Sequence, residues 1–226
     1  IVMLEYCDLS LGEYLMLLSK KKKFDDDMFV NKLDRIIFQL IFTLCMIRKK
    51  YPTFQHNDFF IRNILGYKEK RYSKDDYIEY KYKGKSFYFS ANGFMTKIND
   101  FGLSSVKNIY NPHISKHVKY NKSDLFCLLY DIYNGENLGS ISLTNLFYNN
   151  KKKMRMLKTY FNKFFNVKKL NRMININKHI IDWSWNIENI KSLSSLVKTP
   201  EKYLKSNIFY NYSILPQGGN IVATYS

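Results

Sequence analysis

The 226-residue chain holds only three cysteines, four prolines and two tryptophans, and its 19 acidic residues are outnumbered by 36 basic ones. Cys7, Cys45 and Cys127 are odd in number and widely spaced, which excludes a disulfide framework and a Cys-based zinc pattern and points to a reducing compartment. No apolar run approaches the ~20 residues that a bilayer-spanning helix needs; the longest, Ile36 to Ile47, is cut by Gln39 and Thr43. There is no signal peptide pattern. No Pro/Gly/Ser-rich linker and no internal repeat divides the chain, so one domain over residues 1–226 is expected. The opening Ile1-Val2-Met3-Leu4-Glu5-Tyr6 has neither an initiator methionine nor a basic leader, and the chain is expected to be a piece of a longer product.

What is abundant supports a packed core. With 46% hydrophobic residues, among them 19 Tyr and 17 Phe, the composition rules out disorder. The net charge of +17 invites an acidic partner: nucleic acid, nucleotide or an anionic membrane. An AT-biased genome produces the same excess of Lys, Asn, Tyr, Ile and Phe, so the charge leaves both explanations open. The runs Lys20 to Lys23 and Lys151 to Lys153 fit solvated faces or loops as well as binding patches.

Periodicity organises the chain. Ile1 to Tyr6 reads as a buried strand, followed by a break at Cys7-Asp8-Leu9-Ser10 and a short helix from Leu11. Asp25, Asp26 and Asp27 offer caps for a long helix in which Phe29, Leu33, Ile36, Ile37, Leu40, Ile41 and Leu44 recur at three-and-four spacing, ending at Tyr51-Pro52. Ile64-Leu65 and Phe94 to Ile98 read as strands. Tyr77 to Tyr82 and Lys85 to Phe89 alternate around Lys83-Gly84 as a hairpin, expected as an insertion at the edge of the molecule whose deletion spares the fold. Helices are expected from Ser123 to before Gly135, and over Ser142 to Phe147, Met154 to Phe165 and Pro200 to Lys205.

Two segments carry chemistry when taken together: His56-Asn57-Asp58-Phe59-Phe60-Ile61-Arg62-Asn63-Ile64-Leu65, and Lys97-Ile98-Asn99-Asp100-Phe101-Gly102. Phosphoryl transfer asks for a carboxylate to orient or deprotonate a hydroxyl and for hard oxygen ligands for magnesium. Asp58 suits the first role; Asn63 and Asp100, from different loops, suit the second. This ordered pair, preceded by a long buried helix, resembles the protein-kinase-like superfamily: the spacing of His56, Asp58 and Asn63 is that of its catalytic loop, and Asp100-Phe101-Gly102 that of its metal-binding tripeptide. The run Tyr51 to Asp58 and the long hairpin before Asp100 are most similar to kinase-like proteins of giant DNA viruses.

The resemblance implies an α+β fold: a mainly helical kinase C-lobe with small β-hairpins around the catalytic and Asp-Phe-Gly loops. Residues 1–10 would be the last small-lobe strand and the hinge, and 11–226 the C-lobe. The N-lobe, with its Gly-rich loop, lysine and glutamate, would come from upstream sequence, and the isolated chain would bind ATP weakly and show no turnover. Glu5 and Cys7 would pair with adenine through their backbone, and Leu65 would lie under the base. Asn63 and Asp100 would hold Mg²⁺ and thereby ATP, Asp58 would act as base, and His56 would be architectural. Asp124 would hydrogen-bond the catalytic-loop backbone. The sequence departs from the family at Asn57, where an arginine is usual, so control by a phosphorylated loop is not supported. It departs again at Phe60, where a lysine is usual; Arg62 would supply that charge. No Ala-Pro-Glu lies between Gly102 and Asp124, so the peptide platform is reduced or absent. The leading expectation is ATP-dependent transfer to Ser/Thr hydroxyls of a protein substrate, inside a host cell or virion. A pseudokinase scaffold, a small-molecule kinase and a basic nucleic-acid-associated virion protein are the alternatives.

Overall fold

The computed structural model describes residues 7–20, 25–112, 123–134, 142–176 and 195–226. The strand expected over Ile1 to Tyr6, and Glu5 with it, lies outside the described residues.

One helix organises the rest. The Asp25 carboxylate accepts the Met28 N–H and caps α2 (Asp26–Lys50). Asp26 and Asp27 stand at the positive end of the helix dipole and Arg48, Lys49 and Lys50 at the negative end. Apolar side chains cover more than one face, with Leu33, Ile36, Ile37, Phe38, Leu40, Ile41 and Leu44 all buried, so α2 lies inside the molecule. Before it comes α1 (Leu11–Ser19), opened by a reciprocal capping box between Ser10 and Glu13. After the central strands follow α3 (Asp124–Asn134), α4 (Leu143–Leu146), α5 (Lys151–Phe161), α6 (Val167–Ile176) and α7 (Pro200–Lys205). The fifth helix starts at Lys151, one turn before the expected Met154, because the Asn150 side chain accepts the Lys153 N–H.

Two three-stranded sheets pack around α2. The first has the order β1 (Leu9–Ser10), β2 (Ile64–Glu69), β5 (Gly93–Ile98), all antiparallel, with Ile64 opposite Ile98 and Glu69 opposite Gly93. Gly66 is required there, because a Cβ would collide with the Met95 carbonyl and the Phe94 ring. The second has the order β4 (Lys85–Ser90), β3 (Asp76–Tyr82), β6 (Asn220–Tyr225). Lys83 (φ 47°) and Gly84 (φ 78°) join β3 to β4 with the two left-handed residues of a type I′ turn. Strand β6 runs parallel to β3 on its other side.

This corrects two expectations. The strands do not remain small hairpins, since β1 and β6 extend them into two sheets. Nor is the β3–β4 hairpin peripheral: it is inserted between β2 and β5, yet Ile78, Tyr80, Phe87 and Phe89 are all buried. The reason is its alternation, which gathers Ile78, Tyr80, Phe87 and Phe89 on one face that must be covered. Phe38 of α2 covers it, with ring centroids 5.2 Å from Tyr80, 5.0 Å from Phe87, 4.5 Å from Phe89 and 5.1 Å from Phe209.

Candidate functional site

The loop after α2 is fixed from below by two buried aspartates of α3. Asp124, 1% exposed, accepts the backbone N–H of His56 at 2.9 Å and of Asn57 at 3.0 Å, with the Arg48 guanidinium 3.7 Å away. Burial pushes its pKa up, and the two N–H groups and Arg48 pull the other way. This is the contact expected of Asp124. Asp131, equally buried, accepts the Ile61 N–H at 2.8 Å. Sequence reasoning missed Asp131, although the signal is present: seven residues, two helical turns, separate it from Asp124, so both carboxylates share the face that meets the loop.

Above these anchors Asp58, Arg62 and Asn63 are in direct contact. The Asn63 amide nitrogen donates to Asp58 Oδ2 and to the Asp58 carbonyl, each at 2.7 Å, and Arg62 Nη2 donates to Asp58 Oδ1. Asn63 is buried, whereas Arg62 is 47% exposed in its side chain, with its guanidinium 4.8 Å from the Phe60 ring centroid. The 3₁₀ turn Ile61–Asn63 makes this possible, because it brings residues 58 and 63 together immediately before β2.

Asp100 joins the group through backbone pairing. Strands β2 and β5 end side by side, and the Asn99 N–H continues their ladder to the Asn63 carbonyl at 2.9 Å. His56 adds a second tie: its ring is fully buried, with Nε2 2.9 Å from the Asn99 carbonyl. A carbonyl can only accept, so Nε2 carries the proton and His56 holds position between the loops. Asp100 itself is exposed, has a left-handed backbone (φ 57°, ψ 69°) and accepts the Gly102 N–H at 3.3 Å. Of the residues expected to meet adenine, Leu65 is half-buried in β2, opposite Ser10 of β1 and Lys97 of β5. Cys7 is half-buried, two residues before β1. Glu5 is outside the described residues. Four of the expected residues, Asp58, Arg62, Asn63 and Asp100, thus stand at the joined ends of two loops.

Comparison with known proteins finds relatives named as kinases. The chain is 34% identical over 243 residues to an Acanthamoeba polyphaga mimivirus protein named as a putative serine/threonine-protein kinase, the match covering 99% of this chain and 59% of that one. A second mimivirus protein of the same description is 36% identical over 41% of this chain and 20% of its own length. A Dictyostelium discoideum protein named as a probable serine/threonine-protein kinase is 30% identical over 61% of this chain and 11% of its own. The chain therefore has kinase-like homologues in a giant virus, and spans about three fifths (59%) of the length of the first. No family model matches, and no solved structure matches. Among the described residues no helix is long and apolar enough to cross a membrane.

Proposed function

We propose that this homologue of viral proteins named as serine/threonine-protein kinases supplies the catalytic lobe of an ATP-dependent phosphotransferase acting on Ser/Thr hydroxyls of protein substrates. One observation carries the reading: the Asn63 side-chain nitrogen donates to the Asp58 carboxylate while the Asn63 backbone carbonyl accepts the Asn99 N–H, so base and metal-ligand loops share one residue.

The donor set fits magnesium. Mg²⁺ is usually held by one or two carboxylates, with phosphates and waters completing its shell, rather than by an all-protein cage. Asp100 offers an exposed carboxylate, and the Asn63 amide keeps its oxygen once the nitrogen is committed to Asp58. Among the described residues no group of three or more His, Cys, Asp and Glu forms a metal cage. When bound, magnesium and ATP supply the transferable phosphoryl group and neutralise its charge.

The chain's own side chains do the rest. Asn63 fixes Asp58 Oδ2, and an acceptor hydroxyl takes Oδ1 by displacing the exposed Arg62. Asp58 then receives the hydroxyl proton, and the released Arg62 faces the phosphate charge. Leu65 supports the adenine ring, and the backbone of Cys7 pairs with it; Glu5, expected beside Cys7, lies outside the described residues.

The test is radiolabelled phosphate transfer from ATP to dephosphorylated casein by the full-length protein, alongside calorimetric ATP titration. Asp58→Asn is expected to lower transfer by about 10² to 10⁴-fold, the range for a general base, with nucleotide binding kept; Asp100→Asn is expected to lose both. Unchanged transfer in Asp58→Asn would overturn the assignment. Nucleotide binding without transfer in the wild type would favour a scaffold.

A further inference from the structure

Residues 102–105, which follow Asp100, are gripped by two asparagine side chains in alternation. Asn57 Nδ2 donates to the Leu103 carbonyl at 2.8 Å and to Ser105 Oγ at 2.9 Å. Asn111 Nδ2 donates to the Gly102 carbonyl at 2.9 Å and to the Ser104 carbonyl at 2.8 Å. Four successive residues are thus held by two amides, one from the loop bearing Asp58 and one from further along the chain. The backbone adds to the grip where Gln55 and Ser105 exchange both N–H···O bonds, at 2.9 and 2.8 Å, and where the Lys107 N–H meets Thr53 Oγ1 at 2.8 Å.

Asp100 needs such support. A non-glycine residue in the left-handed region costs free energy and persists only where its surroundings over-determine it. Upstream, Asn99 is pinned to Asn63 and His56; downstream, the two asparagine amides hold the Gly102, Leu103 and Ser104 carbonyls. Asn57 is itself left-handed (φ 65°) and 6% exposed, so its amide is held in one direction by a backbone conformation that asparagine tolerates better than most residues.

We infer that Asn57 and Asn111 are positioning residues that hold Asp100 in place through the segment after it, so that this segment is set without a phosphate group. The inference rests on the phosphotransferase reading for its consequence, but its geometry can be tested apart from activity. The neutral Asn57 amide finds both of its acceptors, the Leu103 carbonyl and Ser105 Oγ, in the segment itself. Four neutral hydrogen bonds order the segment here.

The test is hydrogen–deuterium exchange over residues 99–111 of the full-length, phosphatase-treated protein, with Asn57→Gly, Asn111→Ala and the pair. Glycine keeps the left-handed backbone at position 57 and removes only the amide, which separates the clamp from backbone strain. Exchange across 102–105 is expected to quicken at least tenfold in Asn57→Gly and further in the pair, with α2 protected as in the wild type. In transfer assays the KM for Mg·ATP is expected to rise several-fold, with the KM for the protein acceptor unchanged. Wild-type exchange rates in the double variant would overturn the proposal, and so would a tenfold loss of protection on phosphatase treatment of the wild type. If exchange behaves as expected but no phosphate is transferred, the clamp stands and the phosphotransferase reading fails.

Discussion

The two sheets beside α2 are built on opposite rules. In β1-β2-β5 the strand ends lead into loops whose side chains are polar and hydrogen-bonded and whose backbone is left-handed at Asn57 and Asp100. In β4-β3-β6 the inner face is a mass of rings, Tyr80, Phe87 and Phe89 meeting Phe38, with few polar demands. The first sheet positions the loops of the candidate site and the second secures the helix on which that positioning depends. Strain at a site persists only where something else over-determines it, and here the aromatic sheet and α3 provide that support.

The sharpest way to break the contrast is to remove the hairpin. Replacing residues 77–89 with a short Gly-Ser link should abolish cooperative unfolding, because Phe38 and Phe42 would lose their cover and β6 its partner; a variant that still melts cooperatively by circular dichroism would return the hairpin to the periphery. Next in size is Phe38→Ala, for which denaturant titration should show a loss of about 3 to 5 kcal/mol, the range for emptying a packed aromatic site. Asp124→Ala should behave as a hybrid. It leaves two buried N–H groups unsatisfied, at about 1 to 3 kcal/mol each, and should lower phosphate transfer more than Phe38→Ala does at equal fraction folded. The smallest effect is expected at the far end of β2, where hydrogen bonds from the Arg71 side chain and backbone hold the Glu69 carboxyl down to about 2. A carboxyl lowered in the folded state contributes stability above its ordinary value of 4.5 that is lost as pH falls toward 2. In Arg71→Ala, carbon-detected NMR titration should move the Glu69 midpoint back toward 4.5, leaving the site loops untouched.

Much of this contrast was legible in the residues themselves. Helix α2 announces itself through capping aspartates, a sustained apolar stripe and Tyr51-Pro52; the hairpin does so through Lys83-Gly84 between alternating runs; and the joined loops do so through the spacing of Asp58, Asn63 and Asp100. These are local signals, or local signals in order. What sequence reasoning lost is non-local. Strand β6 has no partner within its own neighbourhood, since Asn220 reaches Asp76 across 144 positions. The core role of the hairpin could not be seen because alternation shows that a face is apolar, not what covers it. Two local signals were passed over as well: the three-and-four spacing of Val167, Leu170 and Ile174 in α6, and the two-turn separation of Asp131 from Asp124 in α3.

The parallel pairing of β6 with β3 also sets a clock. During synthesis β3 and β4 emerge together, but the far side of β3 stays open until residues 220–225 arrive. At about 5 to 20 residues per second, the 144 positions between Asp76 and Asn220 correspond to a wait of roughly 7 to 30 s. For that interval a growing chain carries an unpaired strand edge next to a face of tyrosines and phenylalanines, the kind of surface on which nascent chains adhere to one another. Its yield in a cell should therefore depend on chaperone supply and elongation rate more than on the stability of the finished fold.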